Sequence, residues 1–373
     1  MDLQRREQPP ALAGGRPSPR AGIGYHRRSL VLGAIRLTLA LSVAAGLAAC
    51  DRGPVPPAPG TRTGAVASPG PGRLPHVGYL YFGAAPPAYS ALTEAFLQGL
   101  ADLGYVDGQN VAVDSRYANG QRERLPALIA ELVQVPVDVL VLADSISIPI
   151  AQATTSTIPI VMAISGDPVA EGIVPSLARP GGNVTGLSNM SSTLSGKRVE
   201  YLKEAAPGTS RLAVLVNPDS PTSGLQVEET AAAAHAFGVQ IQALSVRRAE
   251  DLAPAFDAAV SERADGLLVL PDPVTSRERD RIVAFAAEAS LPGMYGPSEF
   301  VQAGGLIAYG PDRAAMFRRA AAYVDRILKG ARAGELPIEQ PTRFELALNL
   351  KTAEALGLTV PRNILLDATE VVH

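Results

Sequence analysis

Tryptophan is absent from these 373 residues, aromatics make up only 5% of them, and there is a single cysteine, Cys50. One thiol cannot form an intramolecular disulfide. The four histidines, His26, His76, His235 and His373, are scattered, so no His/Cys metal cluster is expected and no metal ligand is assigned. Scarce aromatics argue against a stacking platform for bases. A formal net charge of −3 supplies no basic field, which excludes nucleic acid as an expected partner. No G-x-G-x-x-G turn follows a strand, and there is no P-loop and no G-x-S-x-G elbow. The carboxylates show no spacing that marks an acid/base pair, so no catalytic residue and no cofactor is expected.

What the chain does have is apolar content: 47% of it is hydrophobic, enough for two domains with real cores. The first 75 residues lie outside the expected fold. Residues 1–24 are rich in Arg, Pro and Gly and lack apolar periodicity, the composition of disorder. His26-Arg27-Arg28 then forms a positive n-region and Leu30 to Leu47 an apolar h-region, which Arg36 interrupts. Leu47-Ala48-Ala49-Cys50 resembles the lipobox of bacterial lipoproteins, which implies a cleaved signal peptide and lipidation at Cys50. Arg27-Arg28-Ser29-Leu30-Val31 faintly resembles a twin-arginine signal, but His26 precedes the pair and ordinary export is the preferred reading. Residues 51–75, dense in Pro, Gly and Ala, read as a tether that holds a folded head off a bilayer in an extracytoplasmic, periplasmic space.

From His76 onward, strand and helix patterns alternate. His76–Phe82, Val111–Tyr117, Val137–Leu142 and Ile158–Ile164 read as strands, and Ala91–Leu103, Glu123–Val133 and Ile146–Thr155 as helices. A helical piece is expected at Val169–Leu177, ended by Pro180 and the Gly181-Gly182 turn, followed by a strand at Val184–Leu187. The pattern restarts with helix Ser195–Ala206 and strand Leu212–Val216. It continues to a long helix at Ala314–Lys329 and a strand-like Thr342–Asn349. Such alternation implies parallel sheets with right-handed crossovers. The expected architecture is α/β, two Rossmann-like lobes joined by a hinge near Ser188-Asn189. Lobe one is expected over residues 76–188 plus 312–345, and lobe two over 189–311 plus 346–373.

In open parallel sheets ligands sit beyond the carboxyl ends of strands. Residues at those positions are therefore the ligand-binding candidates, each with a structural alternative. Phe82 is an apolar wall or a core phenylalanine. Ser145, or the amide at the start of its helix, takes a ligand carboxylate or caps the helix, and the two roles can coexist. Asp167 receives an ammonium group or caps a turn. Asn217 and Asp272 stand at the equivalent ends in the second half, as ligand contacts or loop caps. Tyr295 and Tyr309 offer a stacking face with a polar tip, or core packing.

The segments TSTIPIV (Thr155–Val161), GDPV (Gly166–Val169), LARPGGNVTGLS (Leu177–Ser188), SGKRVEYLKEAAP (Ser195–Pro207), AVLVNP (Ala213–Pro218) and EFVQAGGLIAYGP (Glu299–Pro311), with the tail Pro341–Leu358, resemble the ABC-transporter substrate-binding proteins of the tryptophan/tyrosine type. The resemblance covers about residues 76–373. It implies a type I periplasmic-binding fold that closes on one small ligand, an amino acid in some members. A permease and an ATPase are implied as partners, and membrane attachment through a lipid anchor. Where that family commonly has Gly-Thr after the third strand, this chain has Asp144-Ser145, a carboxylate added to a loop expected to face the cleft. Two other readings stay open at this point: a ligand-sensing head for a signalling partner, and a small-molecule α/β enzyme.

Overall fold

Parallel strands need crossover helices, and the chain supplies them in two successive runs. The computed structural model describes residues 73–83, 91–190 and 193–373; the leader, Cys50 and nearly all of the tether lie outside the described residues. The first run comprises β1 (His76–Tyr81), α1 (Ala91–Asp102), β2 (Ala112–Tyr117), α2 (Leu125–Gln134), β3 (Val139–Leu142), α3 (Ser147–Thr154), β4 (Ile160–Met162) and β5 (Val184–Gly186). Its strands form an all-parallel sheet in the order β2-β1-β3-β4-β5. β3 and β4 are buried throughout, which is why they read as continuous apolar runs rather than alternating ones.

The second run begins with α4 (Ser195–Ala205), β6 (Arg211–Val216), α5 (Ser223–Ala236), β7 (Gln240–Ser245), α6 (Leu252–Ser261) and β8 (Gly266–Val269). It continues through α7 (Pro273–Arg277), α8 (Arg279–Glu288), β9 (Gly293–Tyr295), α9 (Glu299–Gln302) and β10 (Ile307–Pro311). After α10 (Arg313–Leu328) come β11 (Phe344–Asn349), α11 (Leu350–Ala355), α12 (Arg362–Asp367) and β12 (Glu370–Val372). The seven strands order as β12-β11-β10-β9-β8-β6-β7, parallel except where β11 runs antiparallel to β10. The molecule is thus a two-lobed α/β protein. Each sheet is sandwiched between two apolar clusters.

Two local expectations differ from what is observed. Val169–Leu177 forms turns, not a helix, because Pro175 has no amide hydrogen to give inside that stretch. Phe344 and Glu345, expected in lobe one, belong to β11 and hence to the seven-stranded sheet.

α10 leaves the second sheet and returns to the first lobe. Phe317, Ala320, Ala321, Val324 and Ile327 of α10 bury themselves with Val77, Tyr79, Phe96 and Leu100. Asp312 caps the helix through an N–H bond from Ala315 (2.8 Å). The chain therefore crosses between the sheets three times, and the crossings lie side by side. Ser188 N–H donates to Glu339 O (2.9 Å), Glu339 N–H to Gly186 O (3.0 Å), and Asp312 N–H to Arg343 O (3.1 Å). Arg198, buried in α4, donates from Nε to Tyr309 O (2.9 Å) and so ties α4 to β10 next to the second crossing.

α1 and α10 pack closely at Gly99. A Cβ there would stand 2.6 Å from the Arg318 carbonyl oxygen and 3.0 Å from Ala321 Cβ, so no side chain fits without a helix shift. Gly99→Ala should destabilise the protein by about 1–3 kcal/mol, the usual cost of overpacking. Urea denaturation of the variant beside the wild type checks this.

Candidate functional site

The carboxyl ends of the two sheets face each other, and the loops beyond them meet. Phe82 follows β1, and the turn after β2 runs through Asn119 (φ 54) and Gly120 (φ +73). Opposite stand Arg247 and Arg248 beyond β7, and Pro273, Val274, Arg277 and Glu278 of the α7 region beyond β8. Together with Gln121, Glu123 and Glu250 these enclose a cavity of about 390 Å³ between the lobes. That volume falls at the small end of ordinary ligand sites.

Two arginines close over the cleft in opposite directions. Arg122 of lobe one donates from Nη1 to Asp219 O of lobe two (3.2 Å). Arg277 of lobe two donates from Nη1 to Asn119 O of lobe one (2.6 Å). Gly120 is required here twice over: its φ is positive, and a Cβ would run into the Arg277 guanidinium.

Of the sequence-predicted residues, Phe82 lines the cavity and is 4% exposed, so it serves the core and the cleft wall together. Ser145 is half-buried, and its Oγ accepts the Gly166 amide (3.0 Å), which leaves its hydroxyl proton free to donate. Asn217 and Asp272 do meet: Asn217 Nδ2 donates to Asp272 Oδ2 (3.1 Å), while Asp272 Oδ1 caps α7 by accepting the Val274 amide (2.8 Å). Burial raises the Asp272 carboxyl to about 6, against the lowering pull of those bonds and of Arg122 across the cleft. Asp167 is bound up locally, its Oδ1 accepting from Ala170 N (3.0 Å) and Val169 N (3.3 Å).

The two tyrosines sit elsewhere. Tyr295 is fully buried, stacked on Phe300 at 4.7 Å, with its hydroxyl near Gly293 at the opposite end of the strand. Tyr309 packs between Tyr201 (5.1 Å) and Phe344 (6.0 Å) beside α4. Strand alternation sends both rings into the layers flanking the sheet instead of out over its end.

Asp144 and Ser165 have a different character. Asp144 is 3% exposed; its Oδ1 accepts the Ser147 amide (2.7 Å) and its Oδ2 has no partner. Ser165 is 0% exposed, and its Oγ is likewise unpartnered. Burial raises the Asp144 carboxyl to about 6, opposed only by hydrogen bonds from Ser147 and Ile146 and by no cation. The arginines were invisible in the sequence as site residues, since many arginines follow strands. Arg122, Arg247 and Arg248 nonetheless obey the strand-end rule that selected the other candidates.

Comparison with known proteins follows the same line. Residues 85–372 match the family model described as ABC transporter substrate binding protein. A tyrosine-binding protein of Clostridioides difficile (strain R20291) is 26% identical over 275 residues, 73% of this chain and 78% of that one. Among solved structures, the ABC domain in complex with L-Trp from Streptococcus pneumonia superposes with a TM-score of 0.74 at 25% identity, over 80% of this chain and 100% of that one. A conserved domain protein from Vibrio cholerae O1 biovar eltor gives a TM-score of 0.75 at 28% identity with the same coverage.

The raised Asp144 carboxyl has a consequence for stability. A carboxyl raised from about 3.9 in the unfolded chain to about 6 in the fold leaves the folded state holding more protons between those values. Its contribution to stability is therefore present below about pH 4 and is lost as pH rises through 6. Asp144→Asn cannot ionise. The stability difference between variant and wild type should move in the variant's favour by about 1–3 kcal/mol between pH 4 and pH 7.5. Chemical denaturation at both pH values measures it.

Proposed function

This chain belongs to the ABC transporter substrate binding protein family, and from that premise we propose that its ligand is a small amino-acid-type molecule. The ligand is held between the lobes and released unchanged to a permease driven by an ATPase. The observation that carries this reading is the convergence of both sets of strand-end loops on one cavity that offers charges of both signs. Arg247, Arg248 and Arg277 bring guanidinium groups for a carboxylate, Arg247 also pairing with Asp219 (3.5 Å) and Arg248 with Asp251 (3.6 Å), and Glu123, Glu250 and Glu278 complete the polar lining. A zwitterion needs both. The relatives support the same ligand class, one being a tyrosine-binding protein and another a domain holding L-Trp.

In this mechanism the lobes turn about the three adjoining crossings, so closure is a hinge motion spread over a few backbone segments. Lobe one carries the first sheet with α10, and lobe two carries the second sheet. Arg122 and Arg277 reach across only when the lobes are together, which makes their two bonds part of the closed state's free energy. Phe82 forms an apolar wall, and the Ser145 hydroxyl donates to the ligand. Asn217 and Asp272 stiffen the opposing loop. No residue is assigned a bond-making or bond-breaking role, and the protein acts by binding without turnover.

The family works outside the cytoplasm, and among the described residues no helix is long and apolar enough to cross a membrane. The lipobox-like Leu47-Ala48-Ala49-Cys50 supports attachment through Cys50, lipidated after cleavage of the leader and joined to the head by the Pro/Gly-rich tether. Stable anchoring takes two or more acyl chains.

A thermal-shift screen of amino acids and other small metabolites, followed by calorimetry of the hits, tests the ligand assignment. A ligand of the folded head raises its melting temperature, and an affinity near micromolar corresponds to about −8 kcal/mol. Chemical conversion of the ligand during incubation would refute binding without turnover. Cys50→Ala should abolish incorporation of labelled palmitate and leave the leader unprocessed or miscut, read as a change in the protein's size on a gel. Absence of label in the wild type rules the anchor out.

A further inference from the structure

Lobe one ends its strands with two buried polar groups that the fold itself leaves unanswered. Asp144 Oδ2 and Ser165 Oγ are both without partners, on residues 3% and 0% exposed. They stand beyond neighbouring strands: β3 pairs with β4 through Leu142 and Met162, so Asp144 and Ser165 follow two and three residues later. β3 also pairs with β1 through Leu80 and Leu142, which sets Asp144 at the position beside Phe82. Phe82 lines the interlobe cavity.

Two other carboxylates at the strand ends are already satisfied. Asp272 has both oxygens bonded and Arg122 nearby. Asp167 caps its own turn. Glu171, in the loop after β4, also keeps an unbonded oxygen, but it is only partly buried and its other oxygen accepts the Asp167 amide (2.8 Å). Asp144 joins an unbonded oxygen to an exposure of only 3%, with no compensating cation. A buried carboxylate oxygen without a donor is costly. A protonated amine answers that deficit best, because it brings both the missing hydrogen bond and the missing charge.

Resting on the reading of an amino-acid-type ligand, we propose that Asp144, with the Ser165 hydroxyl beyond the end of the neighbouring strand, receives the ligand's ammonium group and makes a protonated amine a requirement for binding. The ligand then lies in one orientation, with its amine toward the end of the first sheet and its carboxylate toward Arg247, Arg248 and Arg277 of the second. Carboxylates that lack an amine are rejected even where their side chains fit, since they would leave Asp144 buried and unpaired. The same residue that selects the ligand burdens the empty fold.

The test uses the whole mature protein and two variants, Asp144→Asn and Ser165→Ala, with calorimetry against matched probes. These are L-tyrosine, L-tryptophan, L-leucine and L-arginine, the deaminated acids 3-(4-hydroxyphenyl)propionate and 4-methylpentanoate, and the amines tyramine and isopentylamine. The expected result has three parts. At least one amine-bearing probe binds the wild type, and its deaminated partner binds at least 100-fold more weakly. Asp144→Asn loses at least tenfold in affinity for that probe, and Ser165→Ala loses a smaller factor. The ligand-free Asp144→Asn protein still unfolds cooperatively, at a melting temperature that rises relative to wild type between pH 4 and pH 7.5. If a probe binds the wild type and Asp144→Asn equally, or a deaminated acid binds as well as its amino acid, the ammonium assignment is overturned while the amino-acid-type reading stands. If none of the probes binds the wild type, both are overturned.

Discussion

The rest of this structure depends on two parallel sheets turning their carboxyl ends toward one another. Parallel pairing sends every connecting helix to a face of its sheet, so the strand ends carry short loops and little else. With two such ends opposed, loop residues from distant parts of the chain share one volume. Phe82 and Gln121 come from the first run, and Arg247 and Arg277 from the second. The sheets contribute rigidity and the loops contribute chemistry. Ligand contacts can thus change without disturbing the buried strands behind them.

Opposed ends would be of no use if the lobes were free to drift. Adjoining crossings limit the relative motion, since the hydrogen bonds at Ser188, Glu339 and Asp312 hold the three segments together. The reciprocal contacts from Arg122 to Asp219 and from Arg277 to Asn119 span the far side of the cleft. Each is a charged donor on a neutral carbonyl, weaker than an ion pair of two buried charges and correspondingly easier to release. A binding protein that must give up its cargo benefits from closure contacts of this modest kind.

Much of the fold was legible in the sequence, because β-α alternation and fully apolar strands such as Val139–Leu142 leave a plain periodic record. The limits of legibility were tertiary. Nothing local marks residues 338–343 as a crossing, so the start of β11 was assigned to the other lobe. Pro175 is the readable warning against a helix at 169–177. At the site, strand-end position singles out the loops of Phe82, Ser145, Asn217 and Asp272, and of these Phe82 lines the cavity. Position alone could not tell which tyrosines face inward: Tyr295 ends β9 and Tyr309 lies within β10, and the rings of both belong to the packing layers. The orphaned oxygens of Asp144 and Ser165 are likewise unreadable from sequence, since having no partner is a property of the assembled neighbourhood.

The return of α10 to the first lobe bears on the order in which this protein can acquire its shape. Tyr79 and Phe96 are made early, but Phe317, Ala321 and Val324, which cover them, are made more than 200 residues later. By then β6 to β10 have already been synthesised, yet the second sheet still waits for β11 and β12. Neither lobe can finish before the C-terminal segment is present. Long-range closure of this sort is slow to begin and cooperative once begun. A chain that emerges from its N-terminus therefore spends its passage incompletely folded, and it becomes a receptor only when its last strands arrive.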